Sequence, residues 1–352
     1  MLKHVINLFN NSPIISKTML VSLSACFSLS LFAQGDFWTK KTDMPTQRFD
    51  LAVSAVDGKI YAIGGVKFED QNNCIIVPAL EEYDPIKNEW KKKRDMPKAI
   101  EGLSASVVDG KIYTIGGSDK FSRLSYVMEY DPAKDKWTKK NDMPRQVAQT
   151  STCVVNRKIY AIGGLKEGNP NPISVSATME YNPVTDTWIN KTDMPTPRYD
   201  LATAVLNGKI YAIGGIRDLL NVSSAVEEYD PVTDAWIKKA DIPNMINDVR
   251  ILYFSFKCAV TIKNKIYVTG NGAIEEYDPV TDTWTKKQDM PSLRGVYSAA
   301  TVNGKVYVIG GAAEGVILST VEEYTPDDWT ISVSSKQKVA TTWANIKVEN
   351  GK

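Results

Sequence analysis

A chain of 352 residues, 43% hydrophobic and 24% charged, has the composition of an ordinary folded protein and not of a disordered or fibrous one. Its 42 basic residues stand against 41 acidic ones, a formal net charge of +1, so it lacks the basic excess that a nucleic-acid partner calls for. The single histidine, His4, lies at the extreme start of the chain. Ser–His and Cys–His nucleophilic pairs, imidazole proton shuttles and histidine metal sites are therefore excluded from the remainder.

In chain order, residues 1–33 come first. They carry Lys3 and Lys17, no acidic residue, and an apolar stretch from Met19 to Ala33 broken only by serines and Cys26. A basic start, an apolar middle and a small residue at the end form the layout of a secretory signal, and a cut after Ala33 is expected. Leu31 fits the cleavage pattern less well than a small residue would. Leu23-Ser24-Ala25-Cys26 also reads as a lipobox, which would leave a lipid anchor on Cys26. The chain stays apolar for several residues past that cysteine, where lipoproteins usually turn polar. The run is shorter than the roughly 20 residues of a spanning helix, so no transmembrane segment is expected. The expectation is a secreted, periplasmic or cell-surface protein. Cys74, Cys153 and Cys258 would remain after the cut, an odd set that implies no closed disulfide framework.

From residue 34 onward one phrase recurs. Trp38, Trp90, Trp137, Trp188, Trp236, Trp284 and Trp329 stand 45 to 52 residues apart. Self-similarity at such a period marks one supersecondary unit copied in a ring or array. In the fourth copy, Leu201-Ala202-Thr203-Ala204-Val205 reads as a strand and Asn207-Gly208 as a type I′ hairpin turn. Lys209-Ile210-Tyr211-Ala212-Ile213 reads as a second strand ending on Gly214-Gly215. A loop leads to a third strand, Ala225 to Tyr229. Asp230-Pro231-Val232-Thr233-Asp234 forms the next turn, and Trp236-Ile237-Lys238-Lys239 the fourth strand. Four antiparallel strands in each of six repeats predict an all-β, six-bladed β-propeller. Trp38-Thr39-Lys40-Lys41 matches Trp284-Thr285-Lys286-Lys287, so the N-terminal strand is expected to close the last blade beside Tyr324. The domain reading is 1–33 signal peptide, 34–331 propeller and 332–352 C-terminal tail.

Gly-Gly closing the second strand, then Tyr and Trp seven apart (Tyr229 and Trp236, Tyr277 and Trp284), resembles the kelch repeat across nearly all of residues 36–330. The fifth copy departs from it, with Gly270-Asn271-Gly272 in place of the pair. The resemblance implies a ligand face built from the start of each inner strand and the loops beside it. Galactose oxidase shares this propeller type, but its copper site needs histidines and a cross-linked Tyr–Cys pair that this chain does not supply. No cofactor and no metal are expected.

Two recurring series read as scaffold. Small residues on the inner strand (Ala52 and Ser54, Ser104 and Ser106, Ser151 and Cys153, Ala202 and Ala204, Cys258 and Val260, Ser298 and Ala300) suit strands crowding toward one axis, which makes Cys153 and Cys258 buried fillers. Glu82, Glu129, Glu180, Glu228, Glu276 and Glu323 occupy one place per blade and are expected to pair across the outer hairpin with Lys or Thr of the Trp strand.

The starts of the inner strands, by contrast, differ between blades: Arg48-Phe49-Asp50, Ile100-Glu101-Gly102, Ala148-Gln149, Arg198-Tyr199-Asp200 and Arg294-Gly295-Val296. Blade five has a longer approach, residues 244–256, with Arg250 and Tyr253. Arg48, Asp50, Glu101, Gln149, Arg198, Tyr199, Asp200 and Arg294 converge on one rim able to grip a sugar acid or a peptide carboxylate. The competing reading pairs Arg48 with Asp50 and Arg198 with Asp200 to close the mouth. The expected function is a non-catalytic extracytoplasmic scaffold, a monomer that presents its channel mouth to a glycan or protein ligand. The alternative is a mutarotase or epimerase for sialic acid-like sugars. It rests on resemblance to exported kelch-type sialic acid mutarotases, with Asp50, Glu101 or Asp200 as the acid–base group.

Overall fold

The Asp-Gly and Asn-Gly dipeptides hold both residues in the left-handed region: Asp57 and Gly58 at φ 49° and 73°, Asn207 and Gly208 at 52° and 74°. That is the geometry a two-residue hairpin needs to match the twist of its strands. Asn156 and Arg157 adopt the same turn at 50° and 62° without a glycine.

A computed structural model of the protein describes residues 36–326 except 71–72, 170, 219–220, 244–257, 271 and 314. The expected signal segment with Cys26, Trp329 and the tail after it, and the blade-five approach with Arg250 and Tyr253 lie outside the described residues. What is described is all strand and turn, without helix. Six sheets are four-stranded antiparallel blades, and three two-stranded ribbons follow Gly-Gly corners. The fourth blade runs Ala202–Leu206, Lys209–Ile213, Val226–Asp230 and Ala235–Lys238. Six such blades make the propeller. The last one takes its outer strand, Phe37–Lys40, from the N-terminal end of the chain and lays it against Val321–Thr325. Trp38 and Tyr324 stack there at 5.2 Å, so the closure read from the tryptophans holds.

The core lies between blades. Tyr113 and Ile115 of blade two pack with Ile159, Met179 and Tyr181 of blade three, and the other neighbouring pairs repeat the pattern. Polar contacts then fasten each blade to the one before it. Tyr181 Oη donates to Asp186 Oδ1 at 2.5 Å, and the same oxygen accepts the Asn141 backbone N–H of blade two at 3.0 Å. Trp188 Nε1 donates back to Asn141 O at 3.2 Å. The set Tyr229, Asp234, Thr192 and Trp236 repeats it at 2.6, 2.9 and 2.9 Å. In blade one Asn88 takes the place of the aspartate.

The recurring glutamates are structural. Across the outer hairpin Glu82, Glu129 and Glu276 lie opposite Lys91, Thr138 and Thr285, as expected, and Lys93 and Lys287 beside that strand reach Glu82 and Glu276 at 3.4 and 3.3 Å. Glu180 lies opposite Ile189. Its carboxylate instead accepts from Tyr160 Oη at 2.7 Å and from Lys158 Nζ at 2.5 Å, both on the second strand. Lys209 and Lys305 meet Glu228 and Glu323 in the same way, at 2.7 and 2.8 Å.

Asp234→Ala removes an acceptor shared by Tyr229 and Thr192, and is expected to lower unfolding free energy by about 1–3 kcal/mol in urea titration. Asp234→Asn keeps the acceptor, as Asn88 does, and should stay within about 1 kcal/mol of the parent.

Candidate functional site: the channel mouth

Among the described residues, where five of the inner strands begin, one residue bridges to the loop beyond the Gly-Gly corner: Phe49 to Val66, Glu101 to Ser118, Ala148 to Leu165, Tyr199 to Ile216, Gly295 to Ala312. The next residue turns into the left-handed region: Asp50, Gly102, Gln149, Asp200 and Val296, at φ 49° to 56°. Only glycine, aspartate and asparagine visit this region readily, so a β-branched Val296 there is held by its surroundings. The holding force is a hoop of main-chain hydrogen bonds that passes from blade to blade. Asp50 N–H donates to Val296 O at 3.0 Å, Gly102 N–H to Asp50 O at 3.0 Å, Gln149 N–H to Gly102 O at 2.8 Å, and Asp200 N–H to Gln149 O at 3.0 Å.

Below the hoop lies a cavity of about 170 Å³, lined by Asp50, Gln149 and Asp200 at the top and by the inner strands beneath. Val53, Ala105, Thr152, Thr203, Ala259 and Ala299 line the shaft. Of the small residues that spacing placed toward the axis, Ala52, Ser104, Ser151, Cys258 and Ser298 also line the cavity, and Ser54, Ser106, Cys153, Ala202, Ala204 and Ala300 are buried. Burial pushes the Cys153 thiol up to about 12. One side of the shaft carries hydroxyls: Ser104 Oγ and Ser106 Oγ each lie 2.8 Å from Thr152 Oγ1, and Ser151 Oγ 2.8 Å from Thr203 Oγ1. Ligand pockets usually enclose about 300–1,000 Å³. This one takes in only part of a ligand seated on the mouth.

The eight residues expected at the rim divide into two groups. Asp50, Glu101, Gln149 and Asp200 are half-buried at the mouth. Tyr199 is buried against Leu165 and Ile216. Arg48, Arg198 and Arg294 have no exposure at all. Arg198 Nη2 meets Glu227 Oε2 at 2.7 Å, while Nη1 donates to Ala225 O at 2.8 Å and also to Gly214 O. Thr196 Oγ1 caps the other glutamate oxygen at 2.7 Å. Arg48 repeats the arrangement with Glu81 at 2.8 Å, and Arg294 pairs with Glu322. The expectation that these arginines grip a ligand, and the alternative that Arg48 and Arg198 pair with Asp50 and Asp200, both give way to this geometry. The arginine precedes the hoop by two residues, and at that offset the side chain enters the core and supplies donors to the Gly-Gly corner.

Blades two and three place Ile100 and Val147 where the arginines stand, and Met128 and Met179 where their glutamates stand, all buried. Arginine thus travels with Glu-Glu-Tyr, and an aliphatic residue with Met-Glu-Tyr. That correlation between repeats was the available signal that the arginines are internal.

With the arginines withdrawn, the mouth is acidic. Burial, reinforced by the charge of Asp50, pushes the Glu101 carboxyl up to about 7. Among the described residues no arginine or lysine lines the cavity, and no cluster of His, Cys, Asp or Glu is arranged to hold a metal ion. No described helix is long and apolar enough to cross a membrane.

Residues 52–272 match the family profile described as the KLHDC2/KLHL20/DRC7 Kelch-repeats domain, and residues 296–330 match the Kelch motif. The chain belongs to the kelch-repeat family. Kelch-like protein terF of Aspergillus terreus is 27% identical over 180 residues, 51% of this chain and 30% of that protein. Kelch repeat and BTB domain-containing protein 1 of cowpox virus is 29% identical over 182 residues, 52% of this chain and 23% of that protein. Kelch-like protein 13 of mouse is 37% identical over 70 residues, 20% of this chain and 10% of that protein. The match thus spans less than a third of each of these relatives. The solved structure of YjhT superposes with a TM-score of 0.68 at 15% identity, covering 80% of this chain and 95% of that one, and shares the fold.

Arg198→Ala strands Glu227 in the kelch core and should cost about 3–5 kcal/mol of stability. The double substitution Arg198→Ile with Glu227→Met copies the solution of blades two and three. Urea unfolding is expected to show it recovering most of that loss.

Proposed function

We propose that the protein is an exported binding scaffold whose channel mouth holds an uncharged, hydroxyl-rich or amine-bearing ligand, a glycan or a segment of a partner protein. A kelch propeller is typically an interaction scaffold, and the sequence reading of residues 1–33 motivates export. The observation that carries the proposal is the division of the rim. On a scaffold that otherwise repeats, the hoop positions vary as Asp50, Gly102, Gln149, Asp200 and Val296, and three of them bring acceptor side chains to the opening. Carboxylates and amides of this kind bind sugar hydroxyls and ammonium groups, whereas they repel a sugar acid.

A second reading, acid–base chemistry on a sugar such as anomer exchange, is favoured by one observation. Glu101, brought close to neutrality by burial and Asp50, can both give and take a proton at working pH. The same acidity of the mouth argues for a neutral or amino sugar over a sialic acid-like one.

The test is a calorimetric titration of the protein with glucose-type neutral sugars, glucosamine, N-acetylneuraminate and short lysine-bearing peptides. Binding of the neutral or amino ligands, lost in Asp200→Asn/Gln149→Ala, supports the proposal. Preferential binding of N-acetylneuraminate sinks it. Proton-coupled exchange of anomers followed by NMR, abolished in Glu101→Gln, would favour the enzymatic reading.

Glu101 also predicts a pH dependence of stability. The folded state holds the Glu101 proton more tightly than the unfolded chain does. As pH rises from the ordinary carboxylate range through about 7, the unfolded chain releases it first and folding loses free energy. Glu101→Gln removes this loss. Its melting temperature should exceed that of the parent at pH 8 and match it at pH 4.5, in scanning calorimetry at both values.

A further inference from the structure

The shaft below the hoop is two-sided. Of the six residues that line it, Val53, Ala105, Ala259 and Ala299 offer only methyl groups, and they come from the adjoining blades five, six, one and two. Thr152 and Thr203, from blades three and four, offer hydroxyls. The cavity of about 170 Å³ takes a fragment of about five heavy atoms, at roughly the 30 Å³ that a water fills in the liquid.

Each hydroxyl on the polar side brings one donor and two acceptor sites. Thr203 Oγ1 gives its proton to Thr152 O at 3.3 Å, which makes Ser151 Oγ the donor in its contact with Thr203 Oγ1. Both protons of that pair are used. Ser104, Ser106 and Thr152 have one to spare. Ser106 Oγ donates to Thr152 Oγ1, and Ser104 Oγ accepts the Thr152 backbone N–H at 3.1 Å. The contact between Ser104 Oγ and Thr152 Oγ1 uses one more proton, from either side. Three hydroxyls supply three protons, and these contacts consume two. If Ser104 donates, the third proton is on Thr152, whose two acceptor sites are filled. If Thr152 donates, it is on Ser104, whose acceptor sites are then filled as well. Either way it belongs to a residue that lines the cavity, and neither residue has a further acceptor among the described residues. The shaft therefore holds a hydroxyl that can only donate, with methyl groups on the remaining sides.

We propose that the shaft is an acyl subsite that takes the acetyl group of an acetylated amine, its carbonyl oxygen on the spare proton of Ser104 or Thr152 and its methyl toward the alanine and valine side. This rests on the reading of the mouth as the ligand face and names the part of the ligand that enters. Asp50, Gln149 and Asp200 stand at the top of the shaft, where the amide N–H of such a group meets oxygen acceptors. A carboxylate in the same place would meet like charge.

Acetamide is the probe, followed through its methyl signal by ligand-observed NMR of the full chain in the millimolar range, with urea and acetate as competitors of the same shape. Acetamide is expected to bind. Urea, which lacks the methyl, and acetate, which is charged, should compete weakly. Ser104→Ala alone should bind as the parent does, because the spare proton then stays on Thr152. Ser298→Ala, at a lining serine of blade six, should also bind as the parent does. The triple substitution Ser104→Ala/Ser106→Ala/Thr152→Val removes all three hydroxyls and should weaken acetamide about fivefold. Its residues already stand in the same places of other blades, as Ala52, Ala204 and Val53, and an unchanged melting temperature separates lost binding from lost fold. N-acetylglucosamine and Nε-acetyl-lysine, each beside its unacetylated parent, tell a sugar carrier from a peptide one by which displaces acetamide. No binding of acetamide, equal competition by urea, loss of binding in either single variant, or unchanged binding in the triple variant overturns the proposal. If sugars or lysine peptides bind but acetylation adds nothing, this inference fails and the reading of the mouth stands. If acetamide binds and no carrier displaces it, the subsite stands and the reading of the mouth fails.

Discussion

In five of the six blades, among the described residues, a single carboxylate or amide oxygen near the blade's end accepts two hydrogen bonds, one from its own blade's buried tyrosine and one from the backbone of the preceding blade. Asp186 does this for Tyr181 and Asn141, and Asp234 for Tyr229 and Thr192. A blade is a small sheet that cannot bury both faces alone, so its stability depends on its neighbours. The shared oxygen couples that dependence to geometry. The tyrosine is fully buried, the aspartate sits at positive φ, and the tryptophan two residues on returns a hydrogen bond to the same neighbouring segment. The angle between blades is therefore set by short polar contacts as well as by packing, and everything at the channel inherits its position from it.

Much of this was legible in the sequence because repetition separates what the scaffold requires from what varies. The hairpin dipeptides, the Gly-Gly corners and the tryptophan spacing specify strands, turns and closure, since each motif needs a particular backbone conformation that few other residues can adopt. The third-strand glutamates were correctly read as scaffold. The expected partners across the outer hairpin are there for Glu82, Glu129 and Glu276, whereas Glu180 is held by Tyr160 and Lys158 on the other side of its strand. A period-two strand offers two neighbours at every position, and charge pattern alone does not choose between them.

The site was less legible, and the arginines show why. Arg48, Arg198 and Arg294 stand beside the rim in sequence and face away from it in space, because a side chain two residues before the left-handed turn points into the core. Arginine next to a pocket suggests an anion ligand. Arginine bound to two main-chain carbonyls and a glutamate is a device for satisfying a buried corner. Three blades solve that corner with a charge pair and two with aliphatic residues. Such an exchange is expected where a well-packed apolar pair is about as stable as a buried ion pair. With these cations internal, Asp50, Glu101 and Asp200 stand at the opening.

The hoop around the mouth is built from main-chain atoms alone. Among the described residues its backbone keeps one form whichever side chain it carries: Asp50, Gly102, Gln149, Asp200 and Val296 share the same left-handed angles, and the first four donate the same bond to the blade before. An aperture of fixed gauge with interchangeable fittings can change what it recognises without being refolded. Divergence among proteins built this way can thus be concentrated in one residue per blade, with the rest of the ring left as it was.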